Sequence, residues 1–396
     1  MKRTAKFVCV STENNNKYYT VYEQDDGSVK VEYGRVGMPS VSKKDYPIGS
    51  FEKICKQRIA HGYTDQTHLF AVSEPKKEVA TISNKYVKTL IDTLLRFANK
   101  SISENYLVTS ASVTRKQIDA AQVQLDALVT SIDKKIKIDD FNQMLTDLFR
   151  IIPRKMKKVQ EFLAEEKTKY AEILDREQSI LDTMAGQVQD DEPISAEEQA
   201  KQVDILTQLG LIVDVVEDKE IDLIRKLMGE NKNQFANAHK VVNQHTTREY
   251  EKSLKEFQNP KLFWHGSRNE NWFNIMKTGL LIRPSNAILT GSMFGNACYF
   301  ADKCRKSIGY TSIHNSYWAR GSANQAFLAL YDVNLGKPMH LKHHEGWMSS
   351  LTWDKLRQKG DYHSVFAEGG ADLRNNEFMV YKTNQCTIKY LVEITG

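Results

Sequence analysis

The chain has 396 residues with 41% hydrophobic residues, and its mean hydropathy of −0.51 is typical of a soluble protein. This length exceeds what one ordinary core needs, so we expect two or three domains, and no apolar run is long enough for a membrane span. The net charge of +5 permits a nucleic-acid partner without arguing strongly for one.

Cysteine usage and the amino terminus favour an intracellular protein, cytosolic or nuclear. The five cysteines are scattered and form no Cys-x-x-Cys pair, which indicates neither a zinc site nor a disulfide framework. Met1-Lys2-Arg3 is followed by polar residues and not by an apolar stretch, so no signal peptide is predicted.

The beginning of the chain predicts a small β-rich unit followed by a helix. Three short runs rich in β-branched and aromatic residues, 6–10, 18–22 and 29–33, are typical of strands. Asp25-Asp26-Gly27-Ser28 lies between the second and third runs and predicts a hairpin turn. Residues 51–59 predict a helix.

The middle of the chain, 84–184, predicts an α-helical bundle bounded by two breaks. Polar residues at 73–83 indicate a linker, and the acidic stretch 186–198 marks a second boundary. Apolar residues recur at the i, i+3, i+4 spacing of a helix face in two groups: Val87, Leu90, Ile91, Leu94 and Leu95, and Phe141, Met144, Leu145, Leu148 and Phe149.

The last part of the chain predicts a mixed α/β domain with an antiparallel β core. Residues 211–216 predict a strand and 220–228 a helix, and short strands with glycine-rich turns such as Gly291–Gly295 follow. No Gly-x-Gly-x-x-Gly follows a strand and there is no P-loop, so a bound dinucleotide is not held by a Rossmann fingerprint. We therefore predict an α+β chain of three domains, at 1–75, 84–186 and 191–396.

Four short motifs in the last third carry the chemistry. Each alone has a more ordinary interpretation, because a histidine at a strand end is usually structural, a tyrosine in an apolar strand is usually core, and a glutamate at a strand start is usually solvated. Their combination and order are hard to explain by chance. The motifs are Phe263-Trp264-His265-Gly266-Ser267-Arg268, Tyr299-Phe300-Ala301-Asp302, Lys306-Ser307 with Tyr310, and Asn376-Glu377-Phe378.

In this order the motifs resemble the His-Tyr-Glu site of the ADP-ribosyltransferases, and the poly(ADP-ribose) polymerases most closely. The resemblance implies NAD as substrate and no metal. Cleavage at the nicotinamide ribose has an oxocarbenium-like transition state with a good leaving group. A site that holds the dinucleotide, stacks the ring and places one carboxylate near the ribose hydroxyls meets these needs.

The resemblance assigns the nicotinamide end of the site first. The Gly266 backbone and the Ser307 hydroxyl correspond to the groups that bind the nicotinamide amide. Tyr310 corresponds to the tyrosine that stacks on the ring, and Tyr299 to the tyrosine on its other side. Glu377 corresponds to the catalytic glutamate, which binds the ribose 2′-hydroxyl and orients the acceptor hydroxyl.

The adenosine and acceptor ends are assigned in the same way. His265 corresponds to the histidine that binds the adenine-side ribose, with Ser267 beside it, and Asn271 to an asparagine near the same ribose. Lys306 corresponds to a lysine near the acceptor side. The catalytic set implied by the resemblance is therefore His265, Tyr299 and Glu377.

The likeness extends to the first 75 residues. Tyr33-Gly34-Arg35-Val36-Gly37 resembles the Trp-Gly-Arg-Val-Gly core of a WGR domain, a DNA-binding module, with Tyr33 in place of the signature tryptophan. The change keeps an aromatic face but loses area, so stacking on a DNA end is expected to be weaker. Arg35 is the expected phosphate contact, although an ion pair inside the β unit is the open alternative.

The helical segment resembles the regulatory helical domain of the DNA-dependent poly(ADP-ribose) polymerases. Residues 113–118 and 148–153 carry this likeness. In the family this domain obstructs NAD entry until DNA is bound. The resemblance thus implies the order WGR domain, helical domain and catalytic domain, with DNA ends or nicks and protein acceptors, including the chain itself, as partners of a monomer.

Two departures from the family pattern leave alternatives open. Glu377 follows His363-Ser364-Val365 after an unusually short segment, 366–376, which puts long-chain elongation in doubt. Arg283 is displaced by two positions from the usual arginine of the donor side. The expected function is a DNA-stimulated poly(ADP-ribose) polymerase. The alternatives are a mono-ADP-ribosyltransferase or NAD glycohydrolase, and a non-catalytic DNA-end-binding protein.

Overall fold

A computed structural model describes residues 2–36, 41–70, 82–188, 204–282 and 293–396. Arg283, Gly291 and most of the predicted linker and acidic break lie outside these residues. The chain divides into two compact units. Unit 1 comprises Met1–Lys77 and Lys100–Glu192, and unit 2 comprises Glu78–Asn99 and Pro193–Gly396. The three domains at 1–75, 84–186 and 191–396 stay a prediction.

The amino-terminal part of unit 1 is a five-stranded antiparallel sheet with one helix. The three predicted strands and the predicted helix are confirmed. A fourth strand and a short fifth were not predicted, because both are polar. The sheet has the order β4-β3-β2-β1-β5. Its elements are β1 (Arg3–Ser11), β2 (Asn15–Glu23), β3 (Val29–Arg35), β4 (Ser42–Tyr46), α1 (Phe51–Ala60) and β5 (Thr64–Asp65).

The predicted hairpin joins β2 to β3. Gly27 has a φ of 82°, a conformation that favours glycine, and its N–H donates to the carbonyl of Gln24. The inward positions of the two strands are filled by Val21, Val29 and Val31, which are buried in the core of the sheet. The β-branched residues that predicted these strands therefore also build the core, because alternate side chains of a strand point to the same face.

Four helices follow, as the helical periodicity predicts. They are α2 (Lys85–Asn105), α3 (Arg115–Asp133), α4 (Ile138–Ile151) and α5 (Tyr170–Gln187). Helix α3 begins with a capping box, in which Thr114 and Gln117 satisfy each other's backbone N–H groups. It packs against α4 and α5, and Phe141 of α4 stacks on Tyr170 of α5 with ring centroids 3.8 Å apart.

Helix α2 is shared between the two units. Residues 85–99 of this helix belong to unit 2, where Val87, Leu90 and Leu94 are buried in the same core as Trp272. The ring of Phe97 also meets that of Phe327 edge-on at 6.5 Å. The apolar face that predicted a helix of the bundle is therefore, over 85–99, part of the core of unit 2.

Unit 2 contains two β-sheets. The first is antiparallel with the order β6-β7-β14-β10-β8, and the second has the order β11-β12-β13-β9, with β11 and β12 parallel. The elements in chain order are α6 (Ile205–Gln208), β6 (Leu211–Val215), α7 (Asp218–Met228), β7 (Phe235–Asn243), α8 (Gln244–Glu256), β8 (Pro260–Gly266), α9 (Trp272–Thr278), β9 (Cys298–Phe300), α10 (Cys304–Ile308), β10 (Gln325–Asn334), β11 (Pro338–Leu341), α11 (Trp353–Gln358), β12 (Ser364–Ala367), β13 (Glu377–Val380) and β14 (Cys386–Thr395).

The two sheets are joined where β8 meets β9. Trp264 and Ala301 exchange backbone hydrogen bonds of 2.8 and 3.0 Å. Strand β10, which lies between β14 and the edge strand β8, is almost wholly buried, as expected for a strand covered on both faces. The mixed α/β architecture with an antiparallel core agrees with the prediction. Among the described helices, none combines the length and apolar character that crossing a bilayer requires.

Helix α8 begins at a buried cap, Asn243, which leads to our first prediction. Its side-chain oxygen accepts from His245 and Thr246, both at 3.0 Å, and its amide donates to the carbonyls of Met276 and Lys277. Asn243→Ala removes four hydrogen bonds, so we expect the free energy of unfolding to fall by about 2–4 kcal/mol.

All five tryptophans lie in unit 2, so urea unfolding followed by tryptophan emission reports on this unit. The matched control is Thr352→Ala, which removes the exposed cap of α11 and is expected to cost about 1 kcal/mol or less. Equal losses for the two variants would contradict the structural role of Asn243.

Candidate active site

His265 and Tyr299 are brought together by the junction of β8 and β9. The Nδ1 atom of His265 lies 3.0 Å from the backbone carbonyl of Tyr299. Burial lowers the pKa of His265, so the ring is neutral at pH 7. Because a carbonyl can only accept, Nδ1 carries the proton, and Nε2 is left as an acceptor for a hydroxyl.

The hydroxyl of Tyr299 is held by the turn that precedes β9. It donates to the carbonyl of Gly295 at 2.7 Å and accepts from the N–H of Phe294 at 3.2 Å. Burial raises the pKa of Tyr299, so the hydroxyl stays protonated. The buried hydroxyl of Tyr381 donates to the carbonyl of Phe294 at 2.6 Å and supports the same turn.

Gly266 and Ser307 lie in direct contact although 41 positions separate them. A Cβ built on Gly266 would lie 1.9 Å from the carbonyl oxygen of Ser307, so no other residue fits there. Ser307 is buried in α10, on the side that faces β8. Gly266 and Ser307, the two residues predicted to bind the nicotinamide amide, are therefore neighbours in the structure.

Tyr310 follows α10 directly and is half-buried. Burial, with a further contribution from the charge of Glu377, raises the pKa of Tyr310 to about 12. Its ring is therefore neutral at physiological pH, as a stacking surface for an aromatic ligand needs to be.

Glu377 begins β13 and is buried beside Lys306. The Nζ atom of Lys306 contacts Oε1 of Glu377, and both side chains are nearly inaccessible to solvent. Burial lowers the pKa of Lys306, while the charge of Glu377 opposes this shift. The other carboxylate oxygen, Oε2, is buried and has no hydrogen-bond partner among the described residues.

Hydrogen bonds of Asn376 orient the segment before Glu377. The side chain of Asn376 donates to Asp302 at 2.7 Å and accepts from the backbone N–H of Gly369 at 2.8 Å. This links the end of β9 to the loop between β12 and β13. The Asp of the Tyr-Phe-Ala-Asp motif and the Asn of the Asn-Glu motif are therefore paired.

The remaining predicted residues of the donor side lie close together just after β8. The side-chain amide of Asn271 donates to the hydroxyl of Ser267 at 3.2 Å. Tyr33 and Arg35 lie in unit 1 and are described with the proposed function below. All eight predicted NAD-binding residues and Glu377 thus belong to unit 2.

Sequence reasoning missed several residues that support this site. Trp272 packs edge-on against His265 with ring centroids 6.4 Å apart, and its indole donates to the carbonyl of Phe327. Tyr381 stood beside the Asn-Glu motif without an assigned role. No local signal identifies either residue, because each acts through a contact with a distant segment.

The site offers two acceptor atoms that suit the hydroxyls of a dinucleotide substrate. Among the described residues, no group of three or more His, Cys, Asp or Glu side chains converges to hold a metal ion. The unpartnered Oε2 of Glu377 is an acceptor for a ribose hydroxyl, and Nε2 of His265 is another.

Gly295 supports a prediction about the turn that holds Tyr299. It has a φ of 79°, and a Cβ there would lie 2.2 Å from the carbonyl oxygen of Leu351. Gly295→Ala should therefore displace the turn and misplace the Tyr299 hydroxyl. We expect nicotinamide release from NAD, the reaction that the resemblance implies, to fall at least about tenfold.

The control is Gly229→Ala, which has a φ of 58° with no atom within 4 Å of the new Cβ. This variant introduces backbone strain alone, which should lower the free energy of unfolding by about 1–2 kcal/mol. It should keep the full rate of NAD turnover. Wild-type turnover of Gly295→Ala would show that the turn does not position Tyr299.

Comparison with known proteins agrees with this geometry. Residues 219–395 match the model of the poly(ADP-ribose) polymerase catalytic domain. The chain is 33% identical to the poly [ADP-ribose] polymerase-like protein 100L of Invertebrate iridescent virus 6 over 34% of this chain and 71% of that protein. Protein 101L of the same virus, which has no assigned function, is 31% identical over 48% of this chain and 79% of that protein.

A cellular relative matches over a smaller share of its length. Human poly [ADP-ribose] polymerase 2 is 32% identical over 37% of this chain and 28% of that protein. The viral matches cover more than two thirds of their proteins, and the matched domain contains every predicted residue of the NAD site. The chain therefore belongs to the poly(ADP-ribose) polymerase family and is an ADP-ribosyltransferase that uses NAD as its substrate.

Proposed function

We propose that Glu377 is the catalytic carboxylate of a poly(ADP-ribose) polymerase that transfers ADP-ribose to proteins, including itself, and onto growing chains. The observation that carries this proposal is the state of Glu377. One of its oxygens is neutralised by Lys306, while the other is buried and unpartnered among the described residues. Leaving a buried acceptor unsatisfied is costly, so such an atom is suited to a ligand hydroxyl.

The surrounding residues divide the binding work. Gly266 and Ser307 bind the nicotinamide amide, and Tyr310 and Tyr299 enclose the ring. His265, Ser267 and Asn271 bind the adenine-side ribose. The bond from the anomeric carbon to nicotinamide breaks and its electron pair stays on the nicotinamide nitrogen. The acceptor oxygen bonds to the same carbon, and its proton passes to the Glu377 carboxylate and from there to solvent. Glu377 stabilises the developing positive charge on the ribose, and Lys306 holds the carboxylate in place.

The length of the product distinguishes a polymerase from a second candidate function, a mono-ADP-ribosyltransferase. The loop between β12 and β13 is short and closed on itself, because Gly370 donates to the carbonyl of Leu373 at 2.7 Å and Gly369 donates to Asn376. In the family this region helps to form the acceptor side. Its small size favours a mono-ADP-ribosyltransferase or a short polymer, and the intact set of His265, Tyr299 and Glu377 favours elongation.

We further propose that DNA ends or nicks stimulate the reaction through unit 1. A groove of 540 Å³ on the β-sheet is lined by Tyr19, Tyr33, Lys44 and Arg58, among others. The Tyr33 ring stacks on Tyr19 at 5.5 Å, and the Arg58 guanidinium lies 4.5 Å from the Tyr19 ring centroid on β2. The exposed ring of Tyr33 among basic side chains suits an unpaired base or a terminal phosphate.

Arg35 was expected to contact a DNA phosphate, but its hydrogen bonds within unit 1 suggest a role in transmitting the effect of binding. Its guanidinium donates to the side chain of Asn14 and to the carbonyl of Lys157, and Asn14 also accepts from the N–H of Val159. Arg35 thus connects the strand that carries Tyr33 to the segment after α4. A ligand that shifts β3 would strain these contacts, which is a physical route from the groove to the helices.

The gating element is narrower than the predicted helical domain. Residues 85–99 belong to the core of unit 2, so their release would cost much of that core. The helical part that loosens on DNA binding is therefore confined to 100–188. This refines the family's model, in which the helical domain obstructs NAD entry.

Glu377→Gln tests the catalytic proposal. The amide keeps the size of the side chain and an acceptor for Lys306 but removes the charge. We expect transfer of ADP-ribose to protein to fall on the order of 10²- to 10⁴-fold, with a small change in the KM for NAD. The measurement is incorporation of labelled ADP-ribose, resolved by product length on a gel.

The matched control is Glu368→Gln, because Glu368 lies 3.2 Å from the exposed His340 and does not contact Lys306. It should transfer at the wild-type rate. Normal chain formation by Glu377→Gln would exclude Glu377 as the catalyst, and wild-type product that stops at one unit would select the mono-ADP-ribosyltransferase.

Nicotinamide release with and without 5′-phosphorylated nicked DNA tests the stimulation. We expect DNA to raise the wild-type rate. In both Tyr33→Ala and Lys44→Ala, the DNA concentration that gives half of the maximal stimulation should rise. For Tyr33→Ala, which loses the ring, we expect a rise of roughly tenfold. Lys30→Ala, on the other face of β3, is the control and should respond like the wild type. A wild-type rate that ignores DNA would remove this proposal and leave the transferase.

A further inference from the structure

Two of the most exposed large aromatic residues lie side by side in the segment between α10 and β10. Tyr317 is 74% exposed and Trp318 is 58% exposed. The indole of Trp318 stacks on Tyr310, with ring centroids 6.1 Å apart and planes inclined by 19°. Tyr317 meets Trp318 edge-on at 4.7 Å. An exposed tryptophan therefore adjoins the ring that closes the nicotinamide end of the site.

The backbone, and not burial, sets the position of Trp318. The carbonyl of Gly309 accepts from the N–H groups of Trp318 and Ala319, at 2.9 and 3.0 Å. A Cβ built on Gly309 would lie 3.2 Å from Cδ1 of the indole, so the chain before Tyr310 passes close against the ring. The hydroxyl of Ser316 accepts from Gly321 at 2.7 Å and closes the turn.

We propose that Trp318 is a positioning residue that supports the Tyr310 ring as the stacking surface for nicotinamide. The proposal rests on the proposed role of Tyr310 in that site. Tyr310 is only half-buried, and the ring that stacks on it belongs to Trp318, a residue that is itself at the surface. A second ring stacked on the first restricts its rotation before the substrate arrives, which lowers the cost of binding.

The proposal makes Trp318 a determinant of affinity for the nicotinamide ring and not of the chemical step. The ring stacks on Tyr310 both in the ground state and in the transition state. Loss of its support therefore raises the KM for NAD, with less effect on kcat. The same loss also weakens the binding of free nicotinamide, because free nicotinamide has the same ring but lacks the rest of the dinucleotide.

The test compares Trp318→Ala, Trp318→Phe, Tyr317→Ala and Tyr310→Ala in the full chain. Steady-state kinetics give KM and kcat for NAD, and calorimetric titration gives the Kd of nicotinamide. For Trp318→Ala we expect KM and Kd to rise together by about two- to tenfold, the effect of one aromatic pair. Trp318→Phe should restore most of the affinity, and Tyr317→Ala should match the wild type.

The outcomes distinguish the positioning role of Trp318 from the proposed role of Tyr310 in the nicotinamide site. If Tyr310→Ala weakens the binding of nicotinamide and Trp318→Ala does not, Trp318 has no positioning role and the proposed nicotinamide site is retained. If Tyr310→Ala also binds normally, the assignment of the nicotinamide site falls, and this inference falls with it. Should Trp318→Ala fail to fold, Trp318→Leu keeps the apolar bulk without the ring face, and normal affinity in that variant would overturn the proposal.

Discussion

The site depends on the backbone junction between β8 and β9, because that junction joins the two sheets of unit 2. The exchange of hydrogen bonds between Trp264 and Ala301 places the next residue of β8, His265, against the carbonyl of Tyr299. Pairing of β9 with β13 then fixes Tyr299 opposite Met379, two positions after Glu377. Three residues from three strands are thus aligned by backbone register, and register is set by the alternation of buried and exposed side chains along each strand.

The same junction explains why a charged pair can be buried there. Lys306 and Glu377 lose their hydration together, and the loss of either partner would leave a buried charge, at a cost of about 3–5 kcal/mol. The stacked rings of Phe263 and Phe378, 4.2 Å apart, pack β13 against β8. The carboxylate is therefore both charged and poorly solvated, which strengthens its interaction with a developing positive charge.

Local sequence signals predicted the elements and the main site residues, and long-range contacts account for what they missed. β-Branched and aromatic residues identified β3, and the i, i+3, i+4 spacing of apolar residues identified α4, because these effects act within a few residues. The sharing of α2 between two units has no local signal, since its apolar face looks the same against either core. The close approach of Gly266 to Ser307 and the stack of Trp318 on Tyr310 depend on how distant or irregular segments meet.

Unit 1 contains a weak point that fits a segment able to loosen. Arg154 is buried in the helical part, with Nε 3.4 Å from Glu177, and its NH1 atom has no hydrogen-bond partner among the described residues. A cavity of 10 Å³, about the size of one water molecule, is lined by this pair and Tyr106. A buried ion pair with unsatisfied donors recovers hydration when its surroundings open, so the helices around it separate at a lower cost than an apolar core. The segment 156–159, which follows Arg154 closely, is also the one that contacts Asn14, Asn16 and Arg35. A displacement of the β-sheet at these contacts would therefore reach the helices close to the buried pair of Arg154 and Glu177.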